Sequence, residues 1–274
     1  MTPTPQRSNS PARLLSLYAA MWRNSVTREM SFKANFLLWI VVELLWFALQ
    51  LAFMSVLYSH TDSIAGWSKW EVVLLVGCSN FIQQLFTAFF LTNLTDVSEH
   101  IRTGRLDFML LLPVNTRFLV SLRKVDLGAY INAACAVAVM LYALHRLQLH
   151  PSWIQWIGFA VLCLAGLILH YSLTFLLCAI AFWSVRAQGF IYGYYNLFNI
   201  ARLPDSAFPR GAFKTFFTFG LPMLVVSNVP TKVLANRLGS PWELALAVGV
   251  AMVWFGLSEA FWRFSLRHYT SASS

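Results

Sequence analysis

The sequence predicts an all-α integral membrane protein with six transmembrane helices, an N-terminal amphipathic interfacial helix and a re-entrant helical hairpin before the last span. Three observations carry this prediction. Charged residues make up 11% of the chain and hydrophobic residues 58%, with a mean hydropathy of +0.61, whereas a soluble domain needs roughly 25% charged residues to keep its surface wet. Apolar runs of about 20 residues, enough to cross a ~30 Å hydrocarbon core, recur along the chain. The Lys and Arg excess behind the net charge of +9 flanks those runs, a placement that fits loops on the inner face of a membrane and not a nucleic-acid contact.

The elements follow in order. The N-terminus is polar and Pro-rich, and no charged segment with a small-residue cleavage site precedes Phe36, so the first apolar run is expected to stay in the membrane. Leu14, Leu15, Tyr18, Trp22, Val26 and Met30 recur at three- and four-residue spacing, interleaved with Arg13, Arg23 and Arg28, which predicts an amphipathic helix on the membrane surface. Residues 1–34 therefore form a tail and surface helix, 35–268 the transmembrane domain and 269–274 a C-terminal tail. The first span covers 36–58; a polar loop with interface anchors Trp67 and Trp70 leads to the second, 72–94. The next stretch, to Asp126, holds Arg102, Arg105, Arg117, Arg123 and Lys124, too many charges to span, and is placed on the N-terminal side.

The third span is 127–147 and the fourth 156–183. Residues 189–201 are barely long enough to cross, and the apolar stretch after them is broken at Pro222 and Pro230. Broken apolar segments at membrane depth survive only when buried in protein or lining a cavity, hence the re-entrant pair within 204–240. The last span, 242–264, ends at Arg263, Arg267 and His268, which puts both termini on the cytoplasmic side. On that orientation Arg210, Lys214, Lys232 and Arg237 of the hairpin lie outside, against the charge rule.

Motifs exclude several chemistries. The nearest fragment to a phosphate-cradling P-loop, Gly211 to Thr215, lacks the first glycine and the spacing, so this chain is expected neither to hydrolyse ATP nor to be an enzyme. No HExxH, GxSxG or paired-carboxylate pattern occurs. Cys78, Cys135, Cys163 and Cys178 lie in apolar runs without CxxC spacing and read as packing residues, so no metal site and no catalytic residue is expected.

Polar residues inside spans are costly and are the candidates for function. Glu43 and Gln50, seven apart, share a face of the first span; Asn80, Gln83, Gln84 and Thr87 form a stripe on the second; His170 and Thr174 lie one turn apart in the fourth. They line a substrate path or hold the bundle together by interhelical hydrogen bonds, each worth about 0.6 kcal/mol. Glu259 snorkels to water or pairs with Arg263. Trp39, Trp46, Trp183, Trp242 and Trp262 fit interface belts and lipid-facing stripes better than an aromatic drug site. In the charged segment, Glu99, Arg102, Gly104, Arg105 and Asp107 precede the apolar run 108–112; a solvated connector has no need of that run, so these residues are candidates for docking a cytoplasmic partner.

The chain resembles the six-span permease subunits of ABC-2 type ABC transporters. The resemblance rests on ANFLLWIVVELLW (34–46), TDSIAGWSKWEVVLLVG (61–77), IRTGRLDFMLLLPVN (101–115), FWSVRAQG (182–189) and GLPMLVVSNVPTKVL (220–234). It implies a permease of the bacterial cytoplasmic membrane that pairs with an identical or sister permease and with a separate nucleotide-binding subunit, which binds ATP and Mg. This chain binds no cofactor of its own. It also implies that the N-terminal helix and residues 102–113 contact that subunit and that 204–239 form an extracytoplasmic hairpin. Members of this branch look like exporters of drug-like or toxic compounds such as viologens, others of lipids or polysaccharides. A structural membrane protein without transport activity is the rival class.

Overall fold

A computed structural model describes residues 11–184, 187–209 and 211–269. The polar tail 1–10, Val185, Arg186, Arg210 and residues 270–274 lie outside the described residues. Helix α1 (Pro11–Ser31) leaves Leu15, Trp22 and Met30 exposed on one side, the stripe a surface helix offers to lipid. It meets the body at buried Ser25, whose Oγ accepts from the Val125 backbone N–H at 3.1 Å. Helix α2 (Lys33–Leu57) is apolar on nearly every side but buries only Ile40, Phe47 and Met54, spaced by seven, so one narrow seam faces protein.

Helix α3 (Lys69–Phe86) passes through a π-turn at Thr87–Leu91 into α4 (Thr92–Arg102), giving one helical stretch of 34 residues. The helix thus continues past the apolar run 72–94 into the charged segment. Asp96, Glu99 and Arg102 keep helical spacing, and Arg102 grips Glu99 through Nε (2.9 Å) and Nη2 (2.8 Å), so the charges extend the helix instead of ending it. The π-turn misaligns the ladder, and the Ala88 carbonyl accepts from the Asp126 backbone N–H at 3.0 Å. Two short helices follow, α5 (Arg105–Leu111) and α6 (Thr116–Leu122), before α7 (Leu127–Arg146) returns along α3.

Helix α8 (Trp153–Ala179), extended by a 3₁₀ turn at Ile180–Phe182, is with α3 the most enclosed of the long helices, and α7, α11 and α12 (Trp242–Arg267) pack around the pair. Helix α9 (Ala187–Leu197) and its 3₁₀ extension Phe198–Arg202 give about 25 Å of rise, short of the ~30 Å core. Five helices among the described residues are long and apolar enough to cross a bilayer, or six if the bent pair that follows α9 is counted as one span.

That pair joins α10 (Ala212–Thr215), with its π-turn Phe216–Gly220, to α11 (Met223–Leu234) across an 83° bend at Leu221 and Pro222. Both limbs open to the same end of the bundle: Lys214 and Lys232 each reach Asp205, and Lys232 also reaches Glu243 in the first turn of α12. The tip, by contrast, is fixed by Trp254 Nε1–H to the Phe219 carbonyl (3.1 Å), about 16 Å further along α12. The hairpin enters and leaves on one side, as a re-entrant element does. Three of its basic residues are matched locally: Lys214 and Lys232 share Asp205, and Arg237 bonds Glu71 at 3.2 Å and the Gly66 carbonyl at 2.7 Å.

The hairpin packs closely on α8 where that helix is bare. A Cβ on Gly166 would sit 3.1 Å from both Val226 Cγ1 and the Val226 carbonyl, a backbone atom that cannot rotate away. Gly166→Ala is expected to destabilise the protein by about 1–3 kcal/mol, read as an earlier midpoint in detergent-driven unfolding; an unchanged midpoint refutes the tight crossing.

Candidate functional site

The polar stripes of α2, α3 and α9 meet around a cavity of about 650 Å³. Helix α2 contributes Glu43, Trp46, Phe47 and Gln50, and α3 contributes Asn80, Gln83 and Gln84; Tyr195, Asn196, Asn199 and Arg202 face them from α9 and its extension. Positions 43, 47, 50 and 54 fall on one helical face, as do 76, 80, 83 and 84. Five of the six path candidates read from the sequence thus share one space. Gln84 Nε2 donates to Glu43 Oε2 at 3.0 Å. Arg202 donates from Nη2 to Gln83 Oε1 and from Nη1 to Asn199 Oδ1 at 2.6 Å. Thr87, in the π-turn, donates to the Gln83 carbonyl at 3.0 Å and lies 3.4 Å from the Tyr195 hydroxyl.

Not every polar atom here is satisfied. Gln50 Oε1, Asn80 Nδ2 and Arg202 Nε are buried without a hydrogen-bond partner among the described residues, and each such group costs about 1–3 kcal/mol unless something else fills it. With aromatic walls and convergent polar groups, this is the make-up of a small-molecule site.

His170, the sixth candidate, does not line the cavity. Its ring is fully buried against Phe86 (3.9 Å between centroids) and Phe198 (4.4 Å), with Nδ1 3.0 Å from the Tyr194 hydroxyl, so it wedges α9 against α8. Sequence reasoning passed over Arg202, Asn199 and Asn196. These three recur at i, i+3 and i+6 on one face, a signal present at the end of a segment read as barely long enough to cross.

The docking candidates gather elsewhere, at the end of the bundle that carries α1. Glu99 and Arg102 close α4; Gly104 adopts φ +69°, which reverses the chain, and Arg105 and Asp107 open α5. Leu106 and Met109 of α5 are buried with Leu94 and Val97 of α4, while Phe108 and Leu111 are 73% and 79% exposed. The hairpin is therefore rigid on one face and apolar on the other. Behind it, Asn93 exchanges two hydrogen bonds with the Lys124 backbone (2.7 and 2.8 Å), and Lys124 pairs with Asp96. Burial pushes the Asp126 carboxyl above its usual range, opposed by the backbone N–H groups of Ala129 and Gly128.

Glu259 has two partners where the sequence offered one. Arg263 bonds Oε1 at 2.7 Å and Arg117 bonds Oε2. Arg117, on α6, also donates to the Tyr171 hydroxyl and to Ser258 Oγ, both at 2.9 Å, and stacks over Phe175 and Phe255 at 4.3 and 4.5 Å. It ties the short helices at this end to α8 and α12. Trp262 corrects the belt assignment: it is 2% exposed, packed on Phe175 and Phe182. Among the described residues no group of His, Cys, Asp and Glu is placed to hold a metal ion.

A family model described as ABC-2 family transporter protein matches residues 44–273. The chain belongs to this family. No curated protein matches it. As an ABC-2 family member the chain is a multi-pass membrane transport component, and the match spans nearly all of the cavity wall, the α4–α5 hairpin and the re-entrant pair.

Proposed function

We propose that this ABC-2 family protein is the permease subunit of an exporter for drug-like or toxic compounds in a bacterial cytoplasmic membrane, with both termini cytoplasmic. A second permease, identical or sister, closes the cavity from the open side of α2, and a separate nucleotide-binding subunit, carrying ATP and Mg, docks on the α4–α5 hairpin. The observation that carries the reading is the 650 Å³ cavity, polar at its centre and walled by helices long enough to span a bilayer. A protein that merely scaffolds other membrane components has no reason to keep unpaired amides and a carboxylate at that depth.

The 34-residue α3–α4 stretch supplies the mechanical link. Gln84 faces the cavity and Arg102 ends the same helix, about 27 Å away. Closure of the two nucleotide-binding subunits moves the docking hairpins, and the helices carry that motion to Gln83 and Gln84. The cavity then passes from inward- to outward-open by rocking of the two permeases. The π-turn lies between cavity and hairpin, where a helix with one misaligned turn bends most easily.

Filling the cavity tests this. Asn80→Trp, placed in the wall between Gln50 and Gln83, is expected to cut export in reconstituted vesicles at least about tenfold while subunit assembly persists. Normal export by a correctly assembled Asn80→Trp complex refutes the cavity as the path.

A further inference from the structure

The cavity holds one acid and one base that do not touch each other. Among the described residues, Glu43 and Arg202 make no ion pair, with one another or with any other charged side chain, although both line the same space. Amides hold them instead: Gln84 grips the carboxylate, and Gln83 and Asn199 hold the two terminal guanidinium nitrogens. Two charges at bilayer depth are costly, and a direct pair is the ordinary remedy. Arg202 is 9% exposed with Nε unpartnered, and Asn80 is 4% exposed with Nδ2 unpartnered, so the donors at this wall outnumber the acceptors that meet them. The opposite wall supplies Glu43 with Trp46 and Phe47 beside it.

From this arrangement we propose that the cavity selects amphipathic zwitterions, with a cationic group on Glu43, an anionic group at Arg202 and an apolar or aromatic body against Trp46 and Phe47. The inference rests on the reading of the cavity as part of the translocation path and adds the substrate class. A ligand bearing only positive charge meets Glu43 favourably but places itself near Arg202. A ligand bearing only negative charge has the reverse difficulty. A molecule with both charges satisfies both residues, and charge-assisted hydrogen bonds are the strongest such contacts available.

Two dyes that differ in one group make the test. Rhodamine B carries a xanthylium cation and a carboxylate; its ethyl ester keeps the cation alone. Binding of each to the full-length protein in nanodiscs is followed by fluorescence anisotropy, with the Asn80→Trp variant as blank. The wild type is expected to bind rhodamine B at least about tenfold more tightly than the ester. Arg202→Gln should erase that preference, Arg202→Lys should retain it, and Glu43→Gln should weaken both dyes. Equal or tighter binding of the ester, no detectable binding of rhodamine B, or a preference that survives Arg202→Gln overturns the proposal. These outcomes separate from those of the path itself: a lost preference with export still blocked by Asn80→Trp leaves the path standing. A clear preference with export unaffected by that variant leaves a zwitterion site that is not the path.

Discussion

Glu259→Gln is expected to cost about 3–5 kcal/mol of stability, more than any change at the protein's exposed charges. The carboxylate answers two guanidiniums, and they are not equivalent. The Arg263 side chain is 72% exposed and loses little when its partner goes, because water replaces it. The Arg117 side chain is 10% exposed, enclosed by Tyr171, Phe175 and Phe255, and without Glu259 its charge keeps only neutral partners, Tyr171 and Ser258. Arg117→Leu is milder, about 2–3 kcal/mol, because Glu259 retains Arg263 and part of its contact with water. The double variant Arg117→Leu/Glu259→Leu should therefore lie well below the sum of the two single costs, with a coupling of about 2 kcal/mol or more. Detergent-driven unfolding followed by tryptophan fluorescence measures all three. Additive costs, or a Glu259→Gln effect no larger than that of Arg263→Ala, refute a buried tie between α6 and α12.

What the sequence revealed and what it hid follow from how each signal arises. Long apolar runs announce themselves residue by residue, so α2, α7, α8 and α12 were legible to within a few positions. The re-entrant pair was legible for the opposite reason: Pro222 and Pro230 interrupt a run that otherwise ought to cross. The sequence showed that the charged stretch does not span, but not that its helix is continuous with the second span, since charges at i, i+3 spacing continue a helix beyond its apolar run. For the cavity, the stripes on α2 and α3 were visible as spacing, but nothing in one sequence says which stripes face one another. Arg202 was hidden by its position, just past a run, 189–201, read as barely long enough to cross, and so was not searched for as a buried charge. His170 shows the converse, a polar residue at membrane depth that only packing reveals as a wedge. Arg117 and Trp262 depend on α6 folding back beneath α8 and α12, a tertiary placement without local signature.

The Arg117 tie and the exposed α4–α5 hairpin belong to one mechanical unit. Leu94, Val97, Leu106, Met109 and Val120 share a core with Phe175, Cys178 and Trp262, so the tip of the hairpin, the short helix α6 and the ends of α8 and α12 cannot shift independently. A force applied at the tip reaches α8 and α12 through packed side chains, and reaches the cavity along α4, the π-turn and α3.

On that unit, the double variant Arg102→Glu/Arg105→Glu is expected to abolish export and the stimulation of ATP hydrolysis by substrate, with membrane insertion and folding intact. Both side chains are exposed at the tip, and the bidentate Glu99–Arg102 pair is itself exposed, so its loss costs under about 1 kcal/mol. The fold tolerates the change; an interface does not. Two basic groups become acidic beside Glu99 and Asp107. A partner surface shaped for the original charges then meets like charge, which costs several kcal/mol at a contact. Phe108→Ala/Leu111→Ala supplies an independent arm, since those side chains are the exposed apolar part of the same tip and contribute little to the core. Both variants should lose co-purification with the nucleotide-binding subunit while keeping the wild-type unfolding midpoint. If the charge-reversed protein still co-purifies with that subunit and exports at the wild-type rate, the α4–α5 hairpin is not the docking element, and coupling has to run through α1 instead.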